Sequence, residues 1–408
     1  MDSNKIKNFA KLIVRVGANV QPGQAVVIQA ELDQPEFIKL LVEECYEAGA
    51  AEVRVEWSYQ PLQLVHVKHQ TAEKLGEIKH WEREKLIHRR DTLPAMIYIL
   101  SEDPDGLDGM DHEKWGKAVQ LRWNVIKPIR DAMDNKYQWC IAAVPGKEWA
   151  KKVFPELSAE EAMEKLWEAI LYTSRADGDA VEAWKNHNAE LKRRCEYLNS
   201  LDLRELRYKA PNGTDLTVGL IPQAMFLAGA EDTLGTGITY NPNIPSEEVF
   251  TSPRKGRAEG IVYSTKPLSY RGVMIENFSV RFEGGRVVEV HAEKNEDALK
   301  MMVSMDEGAA MLGECALVPY DSPISNSGIM FYNTLFDENA ACHLALGDGF
   351  TNTIRDYEKY SLEELREMGV NNSMIHEDFM IGCAELDICG ITADGREIQI
   401  FKNGNWAF

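Results

Sequence analysis

The chain has 408 residues, 44% of them hydrophobic, which is enough to bury ordinary cores in two or three domains. Its formal net charge of −20 at pH 7 argues against nucleic acid and anionic membrane surfaces as partners. No apolar run can span a bilayer, no signal peptide is recognisable and no C-x-x-C pair occurs, so we expect a cytoplasmic protein without thiolate metal sites.

The first part of the sequence alternates between helical and strand patterns. The predicted elements are a helix over 5–17, a strand Ala25–Ala30, a helix over 34–48, and strands Ala51–Trp57, Ala95–Leu100 and Trp139–Val144. Long charged helical stretches flank the later strands, which predicts an α/β domain with a mostly parallel sheet. No glycine-rich phosphate loop follows the first strand, and this argues against a nucleotide site there.

The pattern changes in the second part of the sequence. Residues 156–199 have a wholly helical pattern, which we interpret as a bridge between domains. Beyond it the period falls to two, with hairpin turns at Pro211–Thr214 and Gly284–Gly285. We therefore predict an α/β domain at residues 1–200 that ends in a helical bridge, and an α+β catalytic metal-binding domain at residues 201–408.

The stretch Met374–Gly382 is typical of a strand because Ile, Phe and Met dominate it, and a strand places His376 and Asp378 on the same face. A His–Asp hydrogen bond in a partly buried strand explains this spacing. A metal site explains it as well, because His nitrogen and carboxylate oxygen are ligand types for Zn, Co or Mn. The H-E-x-x-H zinc helix is excluded because position 380 is Met.

A proline-stiffened loop, Asn241–Pro253, presents two adjacent carboxylates, Glu247 and Glu248, just before an apolar pair. A rigid loop loses little entropy when it binds a ligand. The same residues are also consistent with Ser246 capping a short helix whose first turn is acidic. The loop alone does not decide between these alternatives.

Two further stretches place polar residues among apolar ones. Glu314 enters the apolar strand Leu312–Pro319, where an unpaired carboxylate would shift its pKa and be neutralised. The stretch Thr334–Gly347 predicts a helix in which His343 lies among Ala, Cys and Leu. A lone His in such a place is usually a satisfied core residue.

Taken together, these stretches supply two His and three carboxylates, namely Glu248, Glu314, His343, His376 and Asp378. This is the ligand inventory of a two-metal hydrolase, in which one carboxylate bridges ions about 3.5 to 4 Å apart. Spacing alone does not separate such a site from a set of buried hydrogen bonds.

Four ordered segments are similar to a known family. They read N-x-P-S-E-E-V-F-T-S-P, G-E-x-A-L-V-P, T-L-F-D-E-N-A-A-C-H-L-A-L-G and S-M-I-H-E-D-F-M-I-G. The chain resembles, over its whole length, the aminopeptidase T family of metallopeptidases, which includes aminopeptidase S and aminopeptidase II. The resemblance implies an α/β N-terminal domain, a metal-binding C-terminal domain, a homodimer, and hydrolysis of N-terminal residues from peptide substrates with two divalent metal ions (Zn, Co, Mn or Mg).

Residue roles follow from the same resemblance. Carried over by position, the metal ligands are Glu248, Glu314 as the bridge, His343, His376 and Asp378. Glu338 is our candidate general base, because such sites usually need a carboxylate outside the ligand set to take the proton of water. Two rival functions are a dinuclear hydrolase acting on a non-peptide amide and a metal-binding homologue with little activity.

One position departs from the family. Its members commonly have a Tyr seven residues after the His of the third segment, whereas this chain has Phe350. If a helix continues through this region, Phe350 lies within about 20° of His343 around the helix. The chain would then lack a hydroxyl beside the metals and turn over slowly. Alternatively, the helix breaks at Gly347–Gly349 and Phe350 simply packs.

Overall fold

The computed structural model describes residues 3–270 and 273–408, so the first two residues of the predicted N-terminal domain lie outside it. The chain forms two compact units, one from Met1–Asn186 with Ala230–Pro245 and the other from His187–Gly229 with Ser246–Phe408. These units part inside a helix, before the predicted boundary after residue 200. The predicted boundary after residue 200, between two folding domains, stays a prediction.

The secondary structure is as follows. The α-helices are α1 (Ser3–Leu12), α2 (Pro35–Glu47), α3 (Pro61–His69), α4 (Ala72–Gly76), α5 (His80–Thr92), α6 (His112–Asp131), α7 (Lys147–Val153), α8 (Ala159–Thr173), α9 (Ala180–Ser200), α10 (Glu296–Val303), α11 (Pro323–Ser327), α12 (Thr334–Asp337) and α13 (Leu362–Met368). The strands are β1 (Ala25–Glu31), β2 (Glu52–Ser58), β3 (Ala95–Leu100), β4 (Trp139–Ala143), β5 (Leu203–Lys209), β6 (Asp215–Leu220), β7 (Glu231–Asp232), β8 (Thr239–Tyr240), β9 (Asn243–Ile244), β10 (Val249–Thr251), β11 (Pro253–Tyr263), β12 (Leu268–Tyr270), β13 (Val273–Glu283), β14 (Arg286–Lys294), β15 (Leu312–Leu317), β16 (His343–Gly347), β17 (His376–Met380), β18 (Asp387–Thr392), β19 (Glu397–Lys402) and β20 (Asn405–Trp406).

The first unit contains a parallel sheet with the strand order β2-β1-β3-β4-β9. Its four longer strands are the four that the sequence predicts, and the predicted α/β class is confirmed. Residues Ile28, Ile97 and Ala142 have no exposed surface, as expected for parallel strands with near-continuous apolar sequences. The short strand β9 adds to the edge of this sheet, which explains why Ala230–Pro245 belongs to the first unit.

The second unit contains two antiparallel sheets. The larger has the order β12-β13-β11-β6-β5-β18-β19-β20, with β14 paired to β13, and the smaller has the order β10-β15-β16-β17. Both predicted hairpins, β5–β6 and β13–β14, are present. Apolar side chains from both sheets share one core, in which the rings of Phe278 and Phe379 are 5.8 Å apart. Among the described helices, none has the length and apolar character needed to cross a membrane.

The predicted helix over Thr334–Gly347 is wrong. The chain there forms the one-turn helix α12, a 3-10 turn at Glu338–Ala340 and the strand β16. Ala and Leu favour a helix locally, but β16 lies between β15 and β17 and pairs with both, so tertiary pairing overrides local propensity. The helix cap considered for Ser246 is also wrong, because residues 246–248 have no regular secondary structure and are followed by the strand β10.

Candidate metal centre

The predicted ligands project from one face of the four-stranded sheet. Glu314 lies on β15, His343 on β16, and His376 and Asp378 on β17. Glu314 is paired with Ala345, which is paired in turn with Asp378, and paired residues project from the same face. Each His lies two residues before one of these positions on its own strand, so it shares that face.

The alternation of the strands separates this polar face from the core. On the opposite face, Leu344, Leu346 and Phe379 are almost completely buried in the apolar core. On the ligand face, the residues between the ligands are Ala316 and Ala345. Their methyl side chains leave space above the sheet, which is where the carboxylates and imidazoles converge.

The loop before β10 directs its two carboxylates differently. Glu248 Oε2 lies 3.2 Å from His343 Nε2, so Glu248 faces the other ligand candidates. Glu247 is buried, its backbone N–H donates to Asn339 Oδ1 at 2.7 Å, and its carboxylate lies 3.9 Å from His187 Nε2. The prediction that Glu248 rather than Glu247 belongs to the ligand set is therefore consistent with the geometry.

The ligand candidates form two overlapping groups. Glu248, Glu314 and His343, which we call the inner site, can each place one ligand atom within 4.8 Å of the others. Glu314, His376 and Asp378, which we call the outer site, meet the same condition. Within residues 3–270 and 273–408, these are the groups of His, Cys, Asp and Glu that could hold an ion. The shared residue is Glu314, the predicted bridge.

Backbone carbonyls orient both imidazoles. His376 Nδ1 lies 2.8 Å from the carbonyl oxygen of Asp348, and His376 Nε2 lies 3.1 Å from Glu314 Oε2. His343 Nδ1 lies 3.3 Å from the carbonyl oxygen of Ala341. Because a carbonyl oxygen only accepts, each Nδ1 carries the hydrogen in these contacts, and each Nε2 faces the carboxylates.

The carboxylates make both imidazoles strongly basic. Burial by itself lowers the pKa of His343, but the hydrogen bond to Glu248 and the nearby negative charges raise that pKa to about 10. Burial likewise lowers the pKa of His376, while Asp378 and Glu314 raise it well above its ordinary value. Without an ion, both rings therefore hold a second proton at neutral pH.

Burial and mutual repulsion act on the acids. Burial raises the pKa of Glu314 to about 7, with Glu248 and Asp378 adding to the effect. Burial also raises the pKa of Glu338 well above its ordinary value, and the charges of Asp378 and Glu248 raise it further. Burial opposes ionisation of Asp378, yet the His376 imidazolium lowers the pKa of Asp378 below its ordinary value.

These residues fit divalent cations. Asp378 Oδ1 is buried and has no hydrogen-bond partner among the described residues, although it lies 3.5 Å from His376 Nε2. Four carboxylates, including that of Glu338, interact with only two imidazoles here. Cations with nitrogen and oxygen ligands would satisfy the orphaned oxygen and favour the ionised form of the carboxylates whose pKa burial raises.

Glu338 lies beside the two sites without belonging to either group. It begins the 3-10 turn Glu338–Ala340, is half-buried, and accepts a long hydrogen bond of 3.4 Å from Asn339 Nδ2. Its neighbour Asp337 has a different role. The carboxylate of Asp337 accepts the backbone N–H groups of Phe331 and Asn333 at 3.1 and 3.0 Å, and thereby holds the preceding turn.

Phe350 lies beside the outer site, although no helix continues there. Its ring centroid is 4.8 Å from that of His376 and 5.3 Å from that of Phe250, and 37% of its surface is exposed. The helical geometry that we used to place it is wrong. Ser252 Oγ accepts a hydrogen bond from the Phe350 backbone N–H at 2.8 Å and so holds the backbone that carries the ring.

Sequence reasoning missed several residues that shape the site. Ala345 separates two ligand carboxylates, Asn339 ties the Glu247 loop to the turn at Glu338, and Asp348 orients His376 through its backbone. None of the three has a distinctive local pattern. Only the assignment of β16 as a strand would have placed Ala345 between the carboxylates.

Comparison with known proteins identifies the family. The model of the thermophilic metalloprotease (M29) family matches residues 2–406. The chain belongs to this family. It is 44% identical to aminopeptidase AmpS of Bacillus subtilis, over 100% of this chain and 99% of the relative. It is 38% identical to aminopeptidase T of Thermus thermophilus, over the full length of both.

The fold of this M29 member agrees with a solved structure. The structure of wild-type AmpT from Thermus thermophilus superposes with a TM-score of 0.90 at 37% identity, covering 99% of each chain. The family resemblance that the four motifs indicated is confirmed. The predicted fold class, an α/β N-terminal part followed by an α+β C-terminal part, is confirmed as well.

Proposed function

We propose that this chain is a metal-dependent aminopeptidase that hydrolyses N-terminal residues from peptides and holds two divalent ions, one in the inner site and one in the outer site. The observation that carries the proposal is the position of Glu314, a buried carboxylate that belongs to both ligand groups. Membership of a metalloprotease family and relatives named as aminopeptidases support the same reaction class.

The chemistry divides between the ions and the protein. Divalent ions held by these residues would supply Lewis acidity toward a peptide carbonyl and toward water. Glu338 accepts the proton of the attacking water at its carboxylate and passes it to the leaving amine. The pKa of Glu338 is raised partly by the carboxylates around it, and neutralising their charge would return it toward the range of a general base.

Selection for a free N-terminus follows from the charge of the site. An α-ammonium group needs a carboxylate, and Glu247, Asp337 and Glu338 are acidic residues near the site outside the ligand set. Asp337 is occupied by backbone N–H groups, and Glu247 is buried beside His187. That leaves Glu338, whose carboxylate interacts with Asp378 and Glu248, as the candidate partner for a substrate ammonium.

Chelation and substrate blocking test the proposal. Removing metal with a chelator should abolish hydrolysis of aminoacyl-arylamides, and Zn, Co or Mn should restore it, since all three accept nitrogen and oxygen ligands. Peptides with a free N-terminus should be cleaved and their N-acetylated counterparts should not. Cleavage of acetylated peptides in mid-chain would overturn the aminopeptidase assignment and leave the metal centre in place.

The role of Glu338 has its own test. Glu338→Gln should lower kcat by about 10²- to 10⁴-fold, the usual contribution of a positioned base, with the metal content unchanged. Glu377→Gln is the matched control, because Glu377 lies on β17 between two ligands but projects from the other face. If Glu338→Gln loses an ion, Glu338 is a ligand. If it keeps full turnover, Glu338 is not the base.

The family resemblance also supports a homodimer, and the sequence features noted above predict a cytoplasmic location; both remain predictions. The physiological metal remains one of Zn, Co, Mn and Mg, because availability often decides among ions that accept the same ligand types. Metal analysis of the purified protein measures the content directly, and sedimentation measures the oligomeric state.

A further inference from the structure

The outer site depends on one backbone carbonyl. The Asp348 carbonyl oxygen lies 2.8 Å from His376 Nδ1, and a carbonyl can only accept, so Nδ1 carries the hydrogen. His376 Nε2 is then directed at the outer site, where its lone pair becomes available to an ion once the second proton is lost. If this carbonyl moved, the hydrogen bond that fixes the tautomer and the orientation of the ring would be lost.

The carbonyl lies in a tightly packed turn at the end of β16. The backbone N–H of Asp348 donates to the Ile375 carbonyl at 2.7 Å, directly before His376. Gly347 has a φ of +112°, and a Cβ there would lie 2.0 Å from the Ile375 oxygen. A Cβ at Gly313, the residue before Glu314, would lie 2.1 Å from the Asp348 oxygen. Neither position can accept a side chain without moving this turn.

A single guanidinium holds the turn from the other side. Arg366, in the last turn of α13, places Nη2 3.0 Å from Asp348 Oδ1, and its Nη1 donates to the carbonyls of Gly349 and Asn371. The Arg366 side chain is only 18% exposed. Asp348 Oδ1 also accepts the Ser373 backbone N–H at 3.1 Å, so the guanidinium and this N–H fix the carboxylate together.

We propose that Arg366 is a positioning residue for the outer metal site. Its planar fork holds three acceptors in one arrangement, and this keeps the Asp348 carbonyl where it accepts a hydrogen bond from His376. Arg366 belongs to neither ligand group and acts only through Asp348 and His376. The inference rests on the proposed metal centre and concerns only its outer half.

Zn²⁺ binding to Arg366→Lys tests this role. The variant keeps the positive charge but lacks the fork. We expect the outer site to lose about 10-fold in Zn²⁺ affinity, the lower end of the effect of losing a partner of a ligating His, because Arg366 acts through that partner. The inner site should bind as in the wild type. Both affinities are measured on the metal-free full-length protein by titration against a competing chelator.

Arg396→Lys is the matched control. Arg396 also pairs with an aspartate, Asp394, at 2.8 Å, but both side chains are more than half exposed. An exposed pair contributes little, and this variant should bind Zn²⁺ as the wild type does. Asp348→Asn removes the negative charge that pairs with Arg366 but retains the backbone carbonyl. It should weaken the outer site selectively as well.

The outcomes separate this inference from the proposed function. If Arg366→Lys and Asp348→Asn bind Zn²⁺ at both sites as the wild type does, Arg366 has no positioning role. If both sites weaken equally and the metal-free protein unfolds at lower denaturant concentration, Arg366 is merely structural and the inference is overturned. If the wild type itself binds no Zn²⁺, it is the proposed metal centre that fails.

Discussion

The inner and outer sites share Glu314 and have one imidazole each, yet they are stabilised in different ways. His343 is 1% exposed, and its contact with a backbone carbonyl is long, at 3.3 Å. The side chain of His376 is 26% exposed, and its carbonyl contact is 2.8 Å. The inner site is held mainly by burial, whereas the outer site is held by hydrogen bonds behind its ligand.

This difference predicts that ions at the two sites differ in exchange rate and in access to solvent. Burial of Glu248 and His343 restricts water and exchange at the inner site. The partial exposure of His376 and Asp378 leaves the outer site open to solvent and substrate. We therefore expect the inner ion to exchange slowly and the outer ion to respond to substitutions in the turn and in Phe350.

The largest effect should follow from a substitution of Glu314, the residue that both sites share. Glu314→Gln removes the negative charge of the residue common to both ligand groups, so we expect both sites to weaken. Activity should fall by about 10³-fold or more, since metal stabilisation of the transition state is worth several kcal/mol. Metal content and kcat are the measurements.

Glu247→Gln is the control for that variant. Glu247 is equally buried and lies next to a proposed ligand, but its carboxylate is directed toward His187. It should keep both ions and most of the activity. A Glu314→Gln protein that retained two ions and full turnover would show that the site has been misplaced.

The next largest effect should be on the stability of the metal-free protein, where substitutions in the two sites should have different costs. His343→Ala leaves Glu248 with an unpaired buried charge, and we expect a loss of roughly 3 to 5 kcal/mol in the free energy of unfolding. His376→Ala should cost less, about 1 to 2 kcal/mol, because the ring is 26% exposed and its removal lets water enter the space beside the carboxylates. Denaturant unfolding near neutral pH measures both, and equal losses would contradict the proposed difference in burial.

The pH dependence of metal binding follows from the raised histidine pKa values. The pKa of His343 is raised from 6.5 to about 10, so its ring must lose a proton before it can bind an ion. Inner-site affinity should therefore rise with pH up to about 10, by about tenfold per unit for each proton displaced. Competition titrations at several pH values measure this slope, and a flat profile would contradict the paired imidazolium.

The proton that opposes metal binding at His343 stabilises the metal-free protein. A folded-state pKa raised above the unfolded value stabilises the fold fully below 6.5, and this contribution is lost as pH rises toward 10. The metal-free protein should therefore become less stable over this range while its affinity for metal increases. Unfolding of the metal-free protein across the range provides the check.

The smallest effect should come from Phe350→Tyr, which touches the outer site only. The ring already packs against His376, so the new hydroxyl would lie near the outer ligands. As an unoptimised donor it should raise turnover by up to about tenfold at unchanged metal content, less than the loss usually seen when an evolved donor is removed. No change in turnover, or a loss of stability from an unpaired hydroxyl, would show that Phe350 simply packs.

Local pattern in the sequence was enough to predict much of this protein. The four longer strands of the parallel sheet, both hairpins and the strands carrying Glu314 and His376 follow from apolar periodicity and turn residues, because these signals lie within a few neighbouring positions. The spacing of His376 and Asp378 also predicted their shared face. The family followed from four ordered motifs, each too short to identify it alone.

Only the tertiary structure decided how the site is assembled. The stretch around His343 has the composition of a helix, and it becomes a strand because β15 and β17 supply partners that lie far away in sequence. The return of residues 230–245 to the first unit depends on pairing with β4 in the same way. The contact of His376 with Asp348, and of Asp348 with Arg366, joins backbone and side-chain atoms across three segments. Such contacts have no local sequence signal, because they depend on where the chain has been placed by all the other pairings.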